Sequence, residues 1–147
     1  MQERFETFTV LINRISRDIR KIKNQEMADY HLRSAHVSCL YYVYSLGSVT
    51  SAELCEHCEE DKATISRAVD YLETNGFLLR DAGAKRYKSP LLLTEKGRDT
   101  GKRIAEKIDG VLETISHALT EEERIEFYRS LSTISRSLEA IVQNSEE

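Results

Sequence analysis

The sequence lacks an uninterrupted apolar run of the roughly 20 residues that a membrane-spanning helix needs. Its N-terminus also lacks the apolar core of a signal peptide. Only three cysteines occur among 147 residues, and without an export signal they do not suggest a disulfide framework. We therefore expect a cytoplasmic protein that is neither secreted nor inserted in a membrane.

Motifs of the common enzyme classes are also missing. The chain has no glycine-rich phosphate loop, no HExxH pair and no serine in an elbow motif. Its four histidines, His31, His36, His57 and His117, are scattered over different predicted elements and suggest neither a catalytic nor a zinc cluster. The sequence predicts no enzymatic activity, no cofactor and no metal.

One short cysteine motif has two interpretations. Cys55 and Cys58 form a CxxC with His57 between them, and one helical turn would bring both thiols to a shared face. A four-coordinate metal site needs further ligands, and there is no second CxxC. Metal or redox chemistry is one interpretation, and packing of small residues between two helices is the other.

The length and composition favour one helix-rich domain. A chain of 147 residues can bury a core but is short for two independent domains. Apolar residues make up 40% and charged residues 31% of the chain. We expect a single domain over residues 1–147.

The net charge of −4 is unevenly distributed along the chain. Residues 62–88 carry six basic and three acidic side chains, a net charge of +3, whereas residues 25–61 carry one arginine and seven carboxylates, a net charge of −6. Charges separated by more than about 10 Å are largely screened at ordinary salt. A local basic surface is therefore compatible with binding to DNA phosphates.

The residues from Gly47 to Gly97 carry the most informative pattern. Thr50 and Glu53 have the spacing of a capping box that opens a short helix, and Asp61 can cap a second helix over residues 62–75. Gly76 ends that helix. Its apolar residues fall on one face, namely Ile65, Ala68, Val69 and Leu72, and its outer face carries Lys62, Thr64, Ser66, Arg67 and Tyr71.

Two short helices joined by a tight turn are typical of the helix-turn-helix, which places its second helix in the DNA major groove. After Gly76, apolar runs at residues 77–80 and 89–93 flank a basic segment, which predicts a β-hairpin with a basic tip. We expect Thr64, Ser66 and Arg67 to approach base edges. Phosphate or minor-groove contacts are expected from Lys62, Lys85, Arg86 and Lys88.

The order helix-turn-helix, glycine, strand, basic loop, strand resembles the winged helix-turn-helix of MarR-type bacterial transcription regulators. The most specific matches are residues 63–67 (ATISR), residues 72–80 (LETNGFLLR) and the pair Leu93-Thr94 that closes the hairpin. Such regulators usually carry an aspartate and an arginine in the wing, and Asp81 and Arg86 fit that spacing approximately. The resemblance implies a sequence-specific regulator of double-stranded DNA, usually a repressor.

Long helices with apolar seams flank this motif. Residues 1–24 repeat an apolar residue every three or four positions, and two further seams follow Thr94 and the capping pair Thr120 and Glu123. So small a monomer cannot satisfy three seams, which favours an intertwined homodimer. The predicted fold is mainly α with a small β-hairpin (α+β), in which dimerisation helices at residues 1–33 and 98–147 flank a winged lobe at residues 34–97.

The family resemblance also implies a small effector, often aromatic, bound near the junction of the lobe and the dimerisation helices. Tyr30, His36, Cys39 and Tyr42 are candidate lining residues, and ordinary core packing is the competing interpretation. The resulting prediction is a homodimeric repressor on a pseudo-palindromic operator, released by the effector. The alternative is a winged-helix module that binds proteins without specific DNA binding.

Overall fold

The computed structural model describes residues 2–58, 60–80 and 88–146. It is mainly helical, with one antiparallel hairpin, as the sequence predicts. The elements are α1 (Gln2–Glu26), a 3₁₀ turn (Ala28–Tyr30), α2 (Ser34–Leu46), α3 (Ser51–Cys58), α4 (Lys62–Thr74), β1 (Leu78–Arg80), β2 (Leu91–Leu93), α5 (Glu95–His117) and α6 (Glu121–Ser145).

The predicted helix caps are present. The backbone N–H of Thr50 donates to the Glu53 carboxylate at 2.8 Å, and the backbone N–H of Glu53 donates to Thr50 Oγ1 at 3.2 Å. Thr120 and Glu123 make the same reciprocal pair at the start of α6. Because each cap satisfies backbone donors that a helix start leaves open, these two boundaries are fixed by local sequence.

The hairpin is shorter than predicted, with Leu78, Leu79 and Arg80 paired to Leu93, Leu92 and Leu91. Gly76, at φ +78°, turns the chain out of α4 towards β1. Thr94 joins the two ends of the hairpin: its Oγ1 donates to the Gly76 carbonyl at 2.5 Å and accepts from the Gly97 N–H at 3.0 Å. The predicted cap of α5 is therefore confirmed.

The chain divides into two compact units, residues 1–107 and residues 108–147. The described core lies in the first unit, where α2, α3 and α4 pack on one another and on the hairpin. Its largest fully buried side chains are Met27, Leu32, Leu40, Leu54, Ile65, Leu72, Leu78, Leu91 and Ile104. The arrangement presents the N-terminal part of α4 at the surface of this unit.

The predicted apolar seams of the long helices are exposed. In α1 the side chains of Ile12, Ile15, Ile19 and Ile22 are all at least 37% exposed. In the second unit, α6 has no buried residue, although Ile134, Leu138 and Ile141 continue its seam. No helix of the described chain is long and apolar enough to span a bilayer.

Candidate nucleic-acid interface

The start of α4 is fixed by Asp61. Its carboxylate Oδ1 accepts a hydrogen bond from the backbone N–H of Thr64 at 2.6 Å, in the extended conformation of an N-cap residue. That hydrogen bond, helped by the Thr64 hydroxyl and the nearby Arg67, lowers the pKa of the Asp61 carboxyl. A residue exposed to solvent thus sets where the first turn of α4 begins.

Most side chains on the predicted outer face of α4 are exposed to solvent. Lys62, Ser66 and Arg67 are exposed and Thr64 is half-buried, whereas Ile65, Ala68, Val69 and Leu72 are buried beneath them. The Arg67 guanidinium reaches back one turn to donate to Thr64 Oγ1 at 3.4 Å, a long and weak hydrogen bond. Arg67 can exchange it for a stronger acceptor on a partner, such as a guanine edge.

Tyr71 departs from the predicted pattern. Although it lies on the outer face in a helical projection, its hydroxyl donates to the His31 carbonyl at 2.7 Å and its ring stacks on His36 with centroids 4.2 Å apart. The side chain is half-buried. Tyr71 therefore ties α4 to the chain before α2, and the prediction that it belongs to the outward donor set is wrong.

The hairpin is anchored to α4 through Arg80. Its guanidinium forms an ion pair with Glu73 and lies 3.6 Å from Asp70, and its side chain is only 15% exposed. Two of the three acidic residues in the basic segment 62–88 are therefore close to an arginine inside the fold. The exposed cations of that segment in the described structure are Lys62, Arg67 and Lys88.

The basic tip of the predicted wing is only partly covered by the structure. Lys88 is exposed just before β2. Asp81, Lys85 and Arg86 lie outside the described residues, so their predicted roles stay predictions. At the base of the hairpin, Leu79 and Leu92 are paired in register and are 56% and 45% exposed, which leaves an apolar pair on the outer side of the wing.

A cleft of about 390 Å³ lies beside the N-terminal half of α5. Arg103 Nη1 donates to the Tyr30 hydroxyl at 2.5 Å across this cleft, and Lys96 Nζ donates to the Asn75 carbonyl at 2.8 Å while lying over the Phe77 ring. The lining residues are Tyr30, Glu95, Lys96, Asp99, Thr100 and Arg103. Charged groups and one phenol thus dominate its wall.

Of the four predicted effector residues, only Tyr30 lines this cleft. His36 Nδ1 accepts a hydrogen bond from the Arg33 N–H at 3.0 Å, and burial, together with Arg33, lowers its pKa. Tyr42 stacks on His57, and Cys39 is buried in the core. Lys96 and Arg103 could not be predicted from the sequence. Lys96 contacts Asn75, 21 positions away, and Arg103 contacts Tyr30, 73 positions away, and no local spacing indicates such pairs.

None of the three cysteines is in a disulfide. Within the described ranges, no group of histidine, cysteine and acidic side chains is arranged to hold a metal ion. The neighbouring Cys58 thiol, together with burial, raises the pKa of the Cys39 thiol, a proximity that the CxxC spacing did not predict.

Comparison with known sequences places residues 32–86 on the sequence model of the MarR family. The chain is 28% identical over 85 residues to YwoH of Bacillus subtilis (strain 168), described as an uncharacterized HTH-type transcriptional regulator. That alignment covers 58% of this chain and 62% of the relative. The chain thus matches less than two thirds of the length of this relative.

Solved structures match almost the whole fold. A MarR family regulator from Neisseria meningitidis superposes with a TM-score of 0.83 at 19% identity, over 97% of this chain and 98% of that chain. The complex of S. aureus MepR with DNA gives a TM-score of 0.80 at 19% identity, over 89% of this chain and 97% of that chain. At such identities the likeness establishes the winged helix fold.

Proposed function

We propose that the chain is a MarR-family transcriptional regulator that binds specific DNA sequences and in which α4 reads the major groove. The observation that carries the proposal is the exposed start of α4, where Thr64, Ser66 and Arg67 stand above a buried apolar stripe. Hydroxyl and guanidinium groups are suited to base edges, and an arginine can donate twice to guanine. The fold shared with DNA-bound S. aureus MepR supports this placement.

Phosphate contacts complete the interface. Lys62 lies at the first turn of α4 and Lys88 at the base of the wing, and both are exposed. Because Arg80 is close to Glu73 and Asp70, the acidic residues of the segment are partly neutralised within the fold. Lys85 and Arg86, which the structure does not describe, are proposed to extend the phosphate or minor-groove contact.

The regulator acts as a homodimer. Exposed apolar seams on α1 and α6 are what a second copy would cover, since exposed apolar surface of this kind marks protein contacts. A two-fold dimer sets its two α4 helices about 34 Å apart, one turn of DNA. The matching operator is a pseudo-palindrome with half-sites in successive major grooves.

A small molecule regulates this binding from the cleft beside α5. Tyr30 offers a hydroxyl and an aromatic face, and the charges of Lys96 and Arg103 are balanced by those of Glu95 and Asp99, so a small aromatic molecule with polar groups fits the wall chemically. Such an effector releases a repressor when it binds more tightly to a dimer whose α4 spacing does not match the operator. The resulting loss of DNA affinity cannot exceed the difference between the affinities of the effector for the two arrangements of the dimer.

A protein-binding module is the second candidate function. The exposed pair Leu79 and Leu92 on the hairpin favours it, because apolar side chains on a wing are unsuited to phosphate. Under this alternative the chain would bind no duplex specifically.

Fluorescence anisotropy with two labelled duplexes separates the candidates. One duplex carries the region upstream of the gene that encodes this chain, and the other carries the same bases in shuffled order. A specific regulator binds the first duplex at least about 10³-fold more tightly, the lower end of usual specificity ratios. Equal affinity for both, together with equal affinity for a duplex selected from a random pool, would overturn the proposal.

A further inference from the structure

The first turn of α2 is joined to α4 by two contacts of Tyr71. The Tyr71 ring stacks on the His36 ring with centroids 4.2 Å apart and the ring planes at 17°. The Tyr71 hydroxyl donates to the His31 carbonyl at 2.7 Å. Both side chains of the stack are half-buried, and they lie where α2 and α4 pack on one another. The position of α4 at Tyr71 therefore depends on the first turn of α2.

His36 also caps the helix to which it belongs. Its Nδ1 accepts a hydrogen bond at 3.0 Å from the backbone N–H of Arg33, the N-cap residue of α2. Glutamate or glutamine makes this contact in an ordinary capping box. The next backbone N–H, that of Ser34, donates to Asn24 Oδ1 at 2.7 Å. Of these two acceptors, the imidazole is the one that can take up a proton near neutral pH.

Only the neutral ring with its proton on Nε2 can accept the hydrogen bond from Arg33. An imidazolium carries protons on both nitrogens, so its Nδ1–H would face the Arg33 N–H and leave that donor without an acceptor. The added charge would also lie at the positive end of the α2 dipole. A cation stacked on the Tyr71 ring is favourable, yet burial and Arg33 lower the pKa of His36. The folded protein therefore favours the neutral ring.

The charged and titratable groups around His36 come from several parts of the chain. Arg33, in the same turn, contributes a guanidinium, and α4 contributes the phenol of Tyr71. The segment before α2 contributes the exposed imidazole of His31. From α1, the ammonium of Lys23 bonds to a serine of α2 two residues after His36. Within the described ranges no carboxylate forms an ion pair with His36, so the nearby charges oppose its protonation.

We propose that neutral His36 is a positioning residue for α4, which it keeps in the DNA-binding orientation through its hydrogen bond to Arg33 and its stack on Tyr71. This inference rests on the proposed function. Arg67, which is proposed to contact guanine, lies one turn before Tyr71 in the same helix. A displacement of α4 at Tyr71 therefore displaces Arg67 as well. Protonation of His36 removes the cap of α2, loosens the stack and weakens DNA binding.

The pH range of this effect follows from the direction of the pKa shift. The pKa of His36 in the folded protein is lower than its ordinary value of about 6.5. The contribution of the neutral ring is therefore complete above about pH 6.5 and is lost as the pH falls through the folded value. Acidification below neutral pH should weaken DNA binding before the carboxyl groups of the protein, with ordinary pKa values of about 4, take up protons.

The coupling between His36 and α4 is tested first, without DNA. Wild-type protein labelled with ¹⁵N is titrated by NMR from about pH 8 to about pH 5, the range in which histidine titrates. His36 should carry its proton on Nε2 at the higher pH, and the backbone amide signals of Thr64 and Arg67 should shift with the same midpoint as the His36 ring. A proton on Nδ1, or amide signals that do not follow His36, would overturn the proposal.

Two variants separate His36 from the neighbouring imidazole. His36→Gln keeps a capping acceptor that does not titrate, and the shifts of the α4 amides should be absent in it. His31→Asn is the matched control, because it removes the imidazole five residues earlier and asparagine tolerates the φ of 57° at that position. The amide shifts should remain in His31→Asn. Their loss in His31→Asn, or their persistence in His36→Gln, would assign the pH response to another group.

The effect on DNA is measured by anisotropy with a selected duplex at about pH 8 and about pH 5. The affinity of wild type relative to His36→Gln should fall about 5-fold or more on acidification, the lower end of usual coupling between two sites. Tyr71→Leu, which removes the stack, should lose this pH response, and Tyr71→Phe should keep it. All variants are checked by circular dichroism, and an unchanged affinity ratio would overturn the proposal. If wild type binds no duplex at the higher pH, the proposed function fails, and the NMR titration still decides whether His36 positions α4.

Discussion

Gly97 and the backbone of Phe77 are in direct contact, with no room for a side chain between them. A Cβ atom on Gly97 would overlap the Phe77 carbonyl oxygen and lie 2.9 Å from its carbonyl carbon. The first turn of α5 therefore packs against the start of the hairpin, where Thr94 also bonds to Gly76 and Gly97. This contact sets the position of the start of the hairpin relative to α5.

Gly97→Ala should consequently destabilise the protein by about 1–3 kcal/mol, the usual effect of overpacking. Gly110→Ala is the matched control, because it lies in the same helix with nothing within 4 Å of a new Cβ. Alanine there should stabilise by about 0.5–1 kcal/mol through helix propensity. Urea unfolding of both variants checks the pair, and equal effects would contradict the packing argument.

The cap of α4 predicts a specific dependence on pH. Since the folded state lowers the pKa of the Asp61 carboxyl, its contribution is present above the unfolded pKa of about 3.9 and is lost as pH falls through the folded value. Asp61→Ser keeps a capping oxygen that does not titrate. The stability of wild type should therefore fall more steeply than that of Asp61→Ser between pH 5 and pH 3, in the range where carboxyls titrate.

Urea unfolding at several pH values in that range measures both proteins. Parallel stability curves would show that the Asp61 carboxylate contributes nothing to the folded state through its charge.

The exposed seams predict a dimer that a single charge disrupts. Ile19→Asp places a carboxylate on the α1 seam, where burial without a partner costs at least about 2 kcal/mol per protomer. Sedimentation velocity at micromolar concentration should show wild type as a dimer and Ile19→Asp shifted towards monomer. Leu79→Asp, on the hairpin with a similarly exposed leucine, should remain dimeric. A monomeric wild type would contradict the dimer.

The contribution of the wing to phosphate binding can be measured from the salt dependence of DNA affinity. Losing one phosphate contact reduces the slope of log K against log salt by about 0.9, so Lys88→Ala should reduce it by about 1.8 in a dimer. Lys102→Ala, an exposed lysine on α5, is the control and should leave the slope unchanged. An unaltered slope in Lys88→Ala would remove Lys88 from the interface.

The local sequence was sufficient to predict interactions whose two partners lie three or four residues apart. The caps at Thr50, Asp61 and Thr120 and the buried stripe of α4 are confirmed, because capping and helical periodicity depend on near neighbours. The order of the elements follows from the same signals. The hairpin was placed correctly, but its strands proved shorter than their apolar runs.

Contacts between distant residues were not predictable in the same way. Tyr71 has the spacing of an outward residue, yet its hydroxyl bonds to His31, 40 positions away. The pairing of Tyr30 with Arg103, 73 positions apart, likewise depends on how distant elements pack. Many basic and aromatic residues of this chain have similar local surroundings, so no pattern identifies which of them come together.

The most direct test is the affinity of Arg67→Ala for a duplex selected with wild-type protein, measured by anisotropy on samples shown to be dimeric. We predict a loss of about 1–3 kcal/mol in specific binding, with affinity for a shuffled duplex reduced much less. Arg67→Ala binding the selected duplex as tightly as wild type would contradict the assignment of α4 as the helix that reads DNA.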